Sequence, residues 1–164
     1  MTESLRALVV EDNVHMRSLL RSLLVALGVK EIIEAAGGEE ALDILSASAI
    51  DLILTDLSMQ QMDGIALTRT VRQSATNPYV PIIMVTGHTE RHLVEAARDA
   101  GVTEFLAKPI TVHNLFLRIS EVVERPRDYI RCDDYFGPDR RRRRGEDPHC
   151  GQRRRRDDRE VVAL

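Results

Sequence analysis

Five short apolar runs rich in Val, Ile and Leu divide the first 125 residues of the chain: Leu5–Val10, Glu31–Ala35, Asp51–Thr55, Pro81–Thr86 and Glu104–Ala107. Near-continuous apolar runs of this length suit strands buried on both faces, the condition of a parallel sheet. Amphipathic segments lie between them. In the first, Met16, Leu19, Leu20, Leu23, Leu24 and Leu27 form one stripe at helical spacing, with Asn13 placed to cap it and Gly28 to end it. Segments 37–47, 65–73, 89–101 and 111–124 repeat the pattern, with Thr89 and Thr111 at cap positions and Gly101 at a stop. The Leu, Phe and Met residues of these stripes are expected in the core. Strand then helix, five times over, predicts an α/β sandwich with a parallel sheet and right-handed crossovers. Ligands of such sheets sit outside the carboxyl ends of the strands.

Those ends carry an unusual set of residues. Glu11 and Asp12 follow the first run, and Asp56 follows the third in the stretch DLILTDLSMQQMDG. Thr86 and Gly87 close the fourth, and Lys108–Pro109 follows the fifth. The second contributes nothing reactive. Taken singly, each has a plain structural reading: a helix start, a cap, a turn, a surface lysine. Gathered at one edge they read as a site. Three carboxylates close together repel, which raises their pKa values or demands a cation, and an oxygen-rich, partly open site suits Mg²⁺. An Asp can attack phosphorus to give an acyl phosphate. The metal, Lys108 and the Thr86 hydroxyl would then neutralise charge on the phosphoryl oxygens.

The 164 residues suit one domain with an addition, read here as a body at 1–125 and a tail at 126–164. No apolar run approaches the roughly 18 residues that span a bilayer. The N-terminus lacks the basic start and long apolar core of a secretory signal, so a cytoplasmic location is expected, with no membrane partner. The net charge of −3 conceals an asymmetry: the body holds 11 Lys+Arg against 17 Asp+Glu, and the tail 12 Arg against 9 Asp+Glu. Cys132 and Cys150 both lie in the tail and are expected as free thiols.

Through the pieces LVVEDN, DLILTDLSMQQMDG, PIIMVTG and EFLAKPI, residues 5–124 resemble the receiver domain of bacterial two-component response regulators, most like the stand-alone chemotaxis type. The resemblance implies a flavodoxin-like (βα)5 fold with strand order 2-1-3-4-5. It implies that Asp56 accepts a phosphoryl group from a sensor histidine kinase or a histidine phosphotransfer protein. Glu11, Asp12, Asp56 and the main-chain carbonyl of Ser58 would hold Mg²⁺. Thr86 and Lys108 would engage the phosphoryl oxygens, Pro109 would be cis, and Phe105 would be the aromatic whose movement follows that of Thr86. Ser58 and His88 fall where the family tunes the lifetime of the phosphoryl group. The output would be contact with a downstream protein, with no enzymatic turnover beyond Mg²⁺-dependent self-phosphorylation and slow dephosphorylation; a phosphate sink without output is a further possibility. One departure stands out: the family's usual Met-Pro is Met59–Gln60 here, which gives up a fixed φ.

The resemblance stops before the tail, which is expected to be largely disordered because it has few apolar residues to bury. Its stretch GPDRRRRR at 137–144 recurs as GQRRRRDD at 151–158. Arginine binds phosphate bidentately and stacks on flat rings, so Arg140, Arg141, Arg144, Arg153, Arg154, Arg155 and Asp157 are the candidate anion-binding residues. Three readings compete: a solvated mixed-charge extension, non-specific nucleic-acid contact, which the interleaved acids oppose, and binding of cyclic di-GMP. The last rests on resemblance to stand-alone receivers linked to flagellar control that carry an arginine-rich extension; the chain would then be a cyclic di-GMP effector docking on a partner such as the flagellar motor.

Overall fold

A computed structural model of the chain describes residues 5–74, 76–87, 90–132, 135–140 and 160–162. Five strands, β1 (Arg6–Val10), β2 (Glu31–Ala35), β3 (Leu52–Asp56), β4 (Ile82–Thr86) and β5 (Glu104–Ala107), form one parallel sheet in the order β2-β1-β3-β4-β5. Helices α1 (Val14–Ala26), α2 (Gly38–Ala47), α3 (Gly64–Gln73), α4 (Arg91–Ala100) and α5 (Val112–Glu124) alternate with them. This is the parallel α/β sandwich that the apolar runs predict, with the strand order that the resemblance implies.

Alternate strand residues point to opposite faces, and the core divides accordingly. Ala7, Val9, Leu54 and Val85 pack with Leu20 and Leu24 of α1 and Leu115 and Ile119 of α5. Leu8, Val10, Ile53 and Ile82 pack with Ala41 of α2 and Leu67 and Val71 of α3. Met84 joins Leu57, Ala97 and Val102 beside α4, with Phe105 packed against them. Full burial of one such side chain stabilises by about 1.5–3 kcal/mol. Three stripe residues expected inside are not: Leu19, Phe116 and Leu117 remain 43%, 49% and 49% exposed. A helix lying on a sheet buries one stripe, and the apolar stripes of α1 and α5 are wider than that contact.

The caps follow the sequence. The Asn13 side chain accepts from the N–H groups of His15 and Met16, and that of Thr111 from Asn114 N–H. Gly101 ends α4 in the left-handed region at φ 101°, which a side chain would strain. Thr89 lies outside the described residues; the N-cap of α4 is Glu90.

The C-terminal segment corrects the expectation of disorder where it is described. Strands β6 (Tyr129–Cys132), β7 (Tyr135–Pro138) and β8 (Glu160–Val162) form an antiparallel sheet in the order β7-β6-β8. The apolar surface that orders this segment belongs to the body. Tyr129 is buried, its hydroxyl donates to Tyr79 O at 2.6 Å, and Tyr79 meets Tyr129 and Phe136 edge-on in an aromatic cluster with centroids 5.3–5.8 Å apart. Beneath it the Arg72 guanidinium, buried in the last turn of α3, donates to Gly101 O, Pro78 O, Val80 O and Thr103 Oγ1 and lies 5.3 Å from the Tyr129 ring. Buried Glu104 pairs with Arg118 of α5 at 3.5 Å and with Arg127 of the tail. The hairpin is thereby strapped to the edge of the sheet opposite the carboxyl ends.

Candidate functional site

β1, β3, β4 and β5 end side by side and bring their terminal residues to one edge. The Lys108 ammonium lies 2.9 Å from Asp56 Oδ1 and 3.5 Å from Glu11 Oε2, so it bridges the ends of three strands. Asp56 is the last residue of β3 and is 6% exposed; Glu11 is 2% exposed and Thr86 5%. Lys108 N–H donates to Thr86 O at 2.9 Å, which fastens the lysine loop to β4. The Lys108–Pro109 peptide is cis.

Glycine sets the tightness of this corner. A Cβ on Gly64 would lie 2.2 Å from Asp56 O, so only glycine lets α3 begin so close to the end of β3. Gly64 N–H donates to Leu57 O at 3.0 Å, and the Asp63 side chain caps α3 through Ala66 N–H at 2.7 Å. Arg17, which carried no signal in the sequence, donates to Glu11 O at 2.6 Å and pairs with Glu34 of β2 at 3.4 Å.

The electrostatics are those of crowded acids around one cation. Burial raises the Glu11 pKa first, with the Asp56 charge and the Asp12 carboxyl adding to it, against the lowering effects of the Asn13 N–H and the Lys108 charge. For Lys108, burial acts downward, but its hydrogen bond to Asp56 and the charges of Asp56 and Glu11 together outweigh it, and its pKa is raised. Glu11 Oε2 is buried without a hydrogen-bond partner among the described residues. A buried carboxylate oxygen that meets Lys108 at 3.5 Å without a hydrogen bond, beside Asp56 and exposed Asp12, fits a hard divalent cation, which takes oxygen ligands. No three acidic, His or Cys side chains complete a cage among the described residues; Mg²⁺ needs only one or two carboxylates and keeps several waters.

Of the other expected residues, Ser58 is exposed beside Asp56, its N–H donating to Asp56 Oδ2 at 3.2 Å. Phe105 is half-buried, two register pairs from Thr86, with Met84 as its partner. Arg140 pairs with Asp99 at 2.9 Å and sits 4.2 Å above the Tyr135 ring. A cavity of about 270 Å³ between strap and body is lined by Arg98, Phe105, Arg127, Tyr135, Pro138 and Arg140. Arg141, Arg144, Arg153, Arg154, Arg155, Asp157 and His88 lie outside the described residues, as does Cys150. No helix among the described residues is long and apolar enough to cross a membrane.

Comparison with known proteins agrees with this arrangement. The family described as the response regulator receiver domain matches residues 7–120. A probable chemotaxis protein CheY of Rhizobium etli is 33% identical over 120 residues, which cover 73% of this chain and 93% of that protein. The chemotaxis protein CheY of Pseudomonas aeruginosa is 35% identical over 121 residues, covering 74% and 98%. Among solved structures, the chemotaxis protein CheY4 of Vibrio cholerae is similar with a TM-score of 0.68 at 28% identity, covering 72% of this chain and 98% of that one. The receiver domain of a Pseudomonas aeruginosa sensor histidine kinase has the same TM-score and identity, covers 73% and 98%, and has a magnesium ion coordinated in its active site cleft.

Proposed function

The chain belongs to the response regulator receiver domain family and is a CheY-like phosphorelay signalling protein, and on that premise we propose that Asp56 is its phosphoacceptor. The donor would be a phosphohistidine of a sensor kinase or phosphotransfer protein. The P–N bond breaks, the imidazole leaves with the electron pair and takes up a proton, and an Asp56 carboxylate oxygen forms the new P–O bond. The observation that carries this reading is the Lys108 bridge from Asp56 to Glu11 at the ends of three strands. Lys108 holds the nucleophile in place, and its raised pKa keeps it a cation that can follow charge onto the phosphoryl oxygens. The Thr86 hydroxyl, at the end of β4, would donate to the same oxygens. Glu11, Asp12, Asp56 and the Ser58 carbonyl would hold Mg²⁺, which when bound neutralises phosphoryl charge. The phosphorylated form would be read by a downstream protein in the cytoplasm. With acetyl phosphate and Mg²⁺ the chain should acquire hydroxylamine-labile phosphate; Asp56→Asn should acquire none. Equal labelling of the variant would overturn the assignment.

A second reading is favoured by the arginine-lined cavity under the strap, where Arg140 stacks on Tyr135. Guanidinium groups and a flat ring suit a nucleotide phosphate, and the tail would then bind cyclic di-GMP. At about 270 Å³ the cavity lies near the lower limit of small-molecule sites. Calorimetric titration of cyclic di-GMP into the full chain, with GTP as control, tests it: micromolar binding absent for GTP supports the reading, and no binding removes it.

A further inference from the structure

The three carboxylates of the acidic edge share a feature that their side chains alone do not reveal. Each has one oxygen on a main-chain amide. Asn13 N–H donates to Glu11 Oε1 at 3.2 Å, Ser58 N–H to Asp56 Oδ2 at 3.2 Å, and Gln60 N–H to Asp12 Oδ2 at 3.1 Å. The first two bonds span two residues and come with the local turn. The third spans 48 residues and joins the loop after β3 to the loop after β1. It ties the most exposed of the three acids to the loop after β3.

The loop is shaped around this donor. Met62 N–H donates to Gln60 O at 2.8 Å, closing a tight three-residue turn across Gln61, whose φ of 65° is in the left-handed region. A non-glycine residue there costs on the order of 1 kcal/mol and persists only where its surroundings hold it. Met59 and Met62 anchor the two sides of the turn against the α2–α3 core. With both flanks packed, the Gln60 amide is presented to Asp12 by a rigid frame. A proline at position 60 would have no hydrogen to give.

We propose that the main-chain N–H of Gln60 is a positioning group for a divalent cation. By holding Asp12 Oδ2 it fixes the carboxylate rotamer and leaves the second oxygen of Asp12 outside the amide bond, on the side of Glu11. It rests on the reading of Asp12 as a Mg²⁺ ligand. Outer-shell hydrogen bonds to metal-ligating carboxylates typically carry a 10- to 100-fold effect on affinity. Gln60 acts through its backbone, so its side chain is dispensable.

The test is calorimetric titration of Mg²⁺ into the full chain and four variants, with a urea unfolding curve for each. Asp12→Asn should lose binding. Gln60→Ala keeps the amide hydrogen and should match the parent within about twofold, whereas Gln60→Pro should bind at least about 10-fold more weakly. A semisynthetic chain with an ester in place of the amide at position 60 removes the hydrogen without fixing φ and should show the same loss at an unchanged unfolding midpoint. If Asp12→Asn loses binding while both the proline and ester forms bind as the parent does, the positioning role is overturned and the metal reading stands. If Asp12→Asn binds as tightly as the parent, the metal reading falls and takes this inference with it.

Discussion

The two edges of the sheet treat buried charge in opposite ways. At the strapped edge, Arg72 is buried yet spends its guanidinium on three carbonyls and a hydroxyl, and Glu104 is buried yet pairs with two arginines. At the carboxyl edge, Glu11 is equally buried, but Oε2 lacks a hydrogen bond and a single lysine faces two carboxylates. Satisfied buried charges fix geometry; unsatisfied ones are retained where something must bind. Burial alone would not have told the edges apart. Completeness of partners does.

The difference can be broken from either side. The largest effect expected is on the carboxyl edge: Lys108→Met should slow phosphorylation by small donors about 100-fold or more, as loss of a preorganised charge does in other sites, measured by the rate of acid-labile label incorporation. Because it leaves the buried Asp56 and Glu11 carboxylates without their cation, it should also lower the urea midpoint. Next comes the strapped edge, where Glu104→Ala leaves Arg118 and Arg127 without their shared acid. A loss of about 3 kcal/mol is expected in urea unfolding, with phosphorylation by acetyl phosphate preserved. If phosphorylation were lost too, the two edges would not be separable.

Alkaline titration sharpens the same contrast. Burial raises the Tyr129 pKa against the lowering effect of the Arg72 charge, and burial likewise raises that of Tyr135 against Arg140. An unfolded tyrosine titrates near pH 10. Between that value and the higher folded ones the folded state holds more protons, so stability falls as pH rises. The strap's contribution should be intact below about pH 10 and lost above it, read as amide exchange in residues 129–138 rising before that of β1 or β3. The smallest effect belongs to Arg140→Ala. Its pair with Asp99 is about half exposed on both sides, so about 0.5–1 kcal/mol is expected from the ion pair and ring contact together.

The same contrast explains what could be read from the chain. Apolar runs bounded by caps announced the five strands and helices, because each element carries its own periodicity. Glu11, Asp12, Asp56, Thr86 and Lys108 were legible for a related reason: a strand end in a parallel sheet fixes where the next residue goes. The strap was not legible. Tyr129 and Phe136 looked too few to bury anything, since their partners Tyr79 and Arg72 lie 50 or more residues back in the chain. Glu104 read as one more residue of a short strand, and nothing local marks it as the anchor of the tail. The Gln60 amide was invisible in principle, because a main-chain donor has no letter in the sequence; only the absence of proline hints at it.

The most direct test of the acidic edge as a phosphoacceptor site is to find where the phosphoryl group goes. The full chain, treated with acetyl phosphate and Mg²⁺ and then reduced with borohydride, should yield homoserine in place of Asp56 on peptide mapping, and none when Mg²⁺ is withheld. Homoserine at Asp12, or at no position while the parent peptide is recovered whole, would contradict the account.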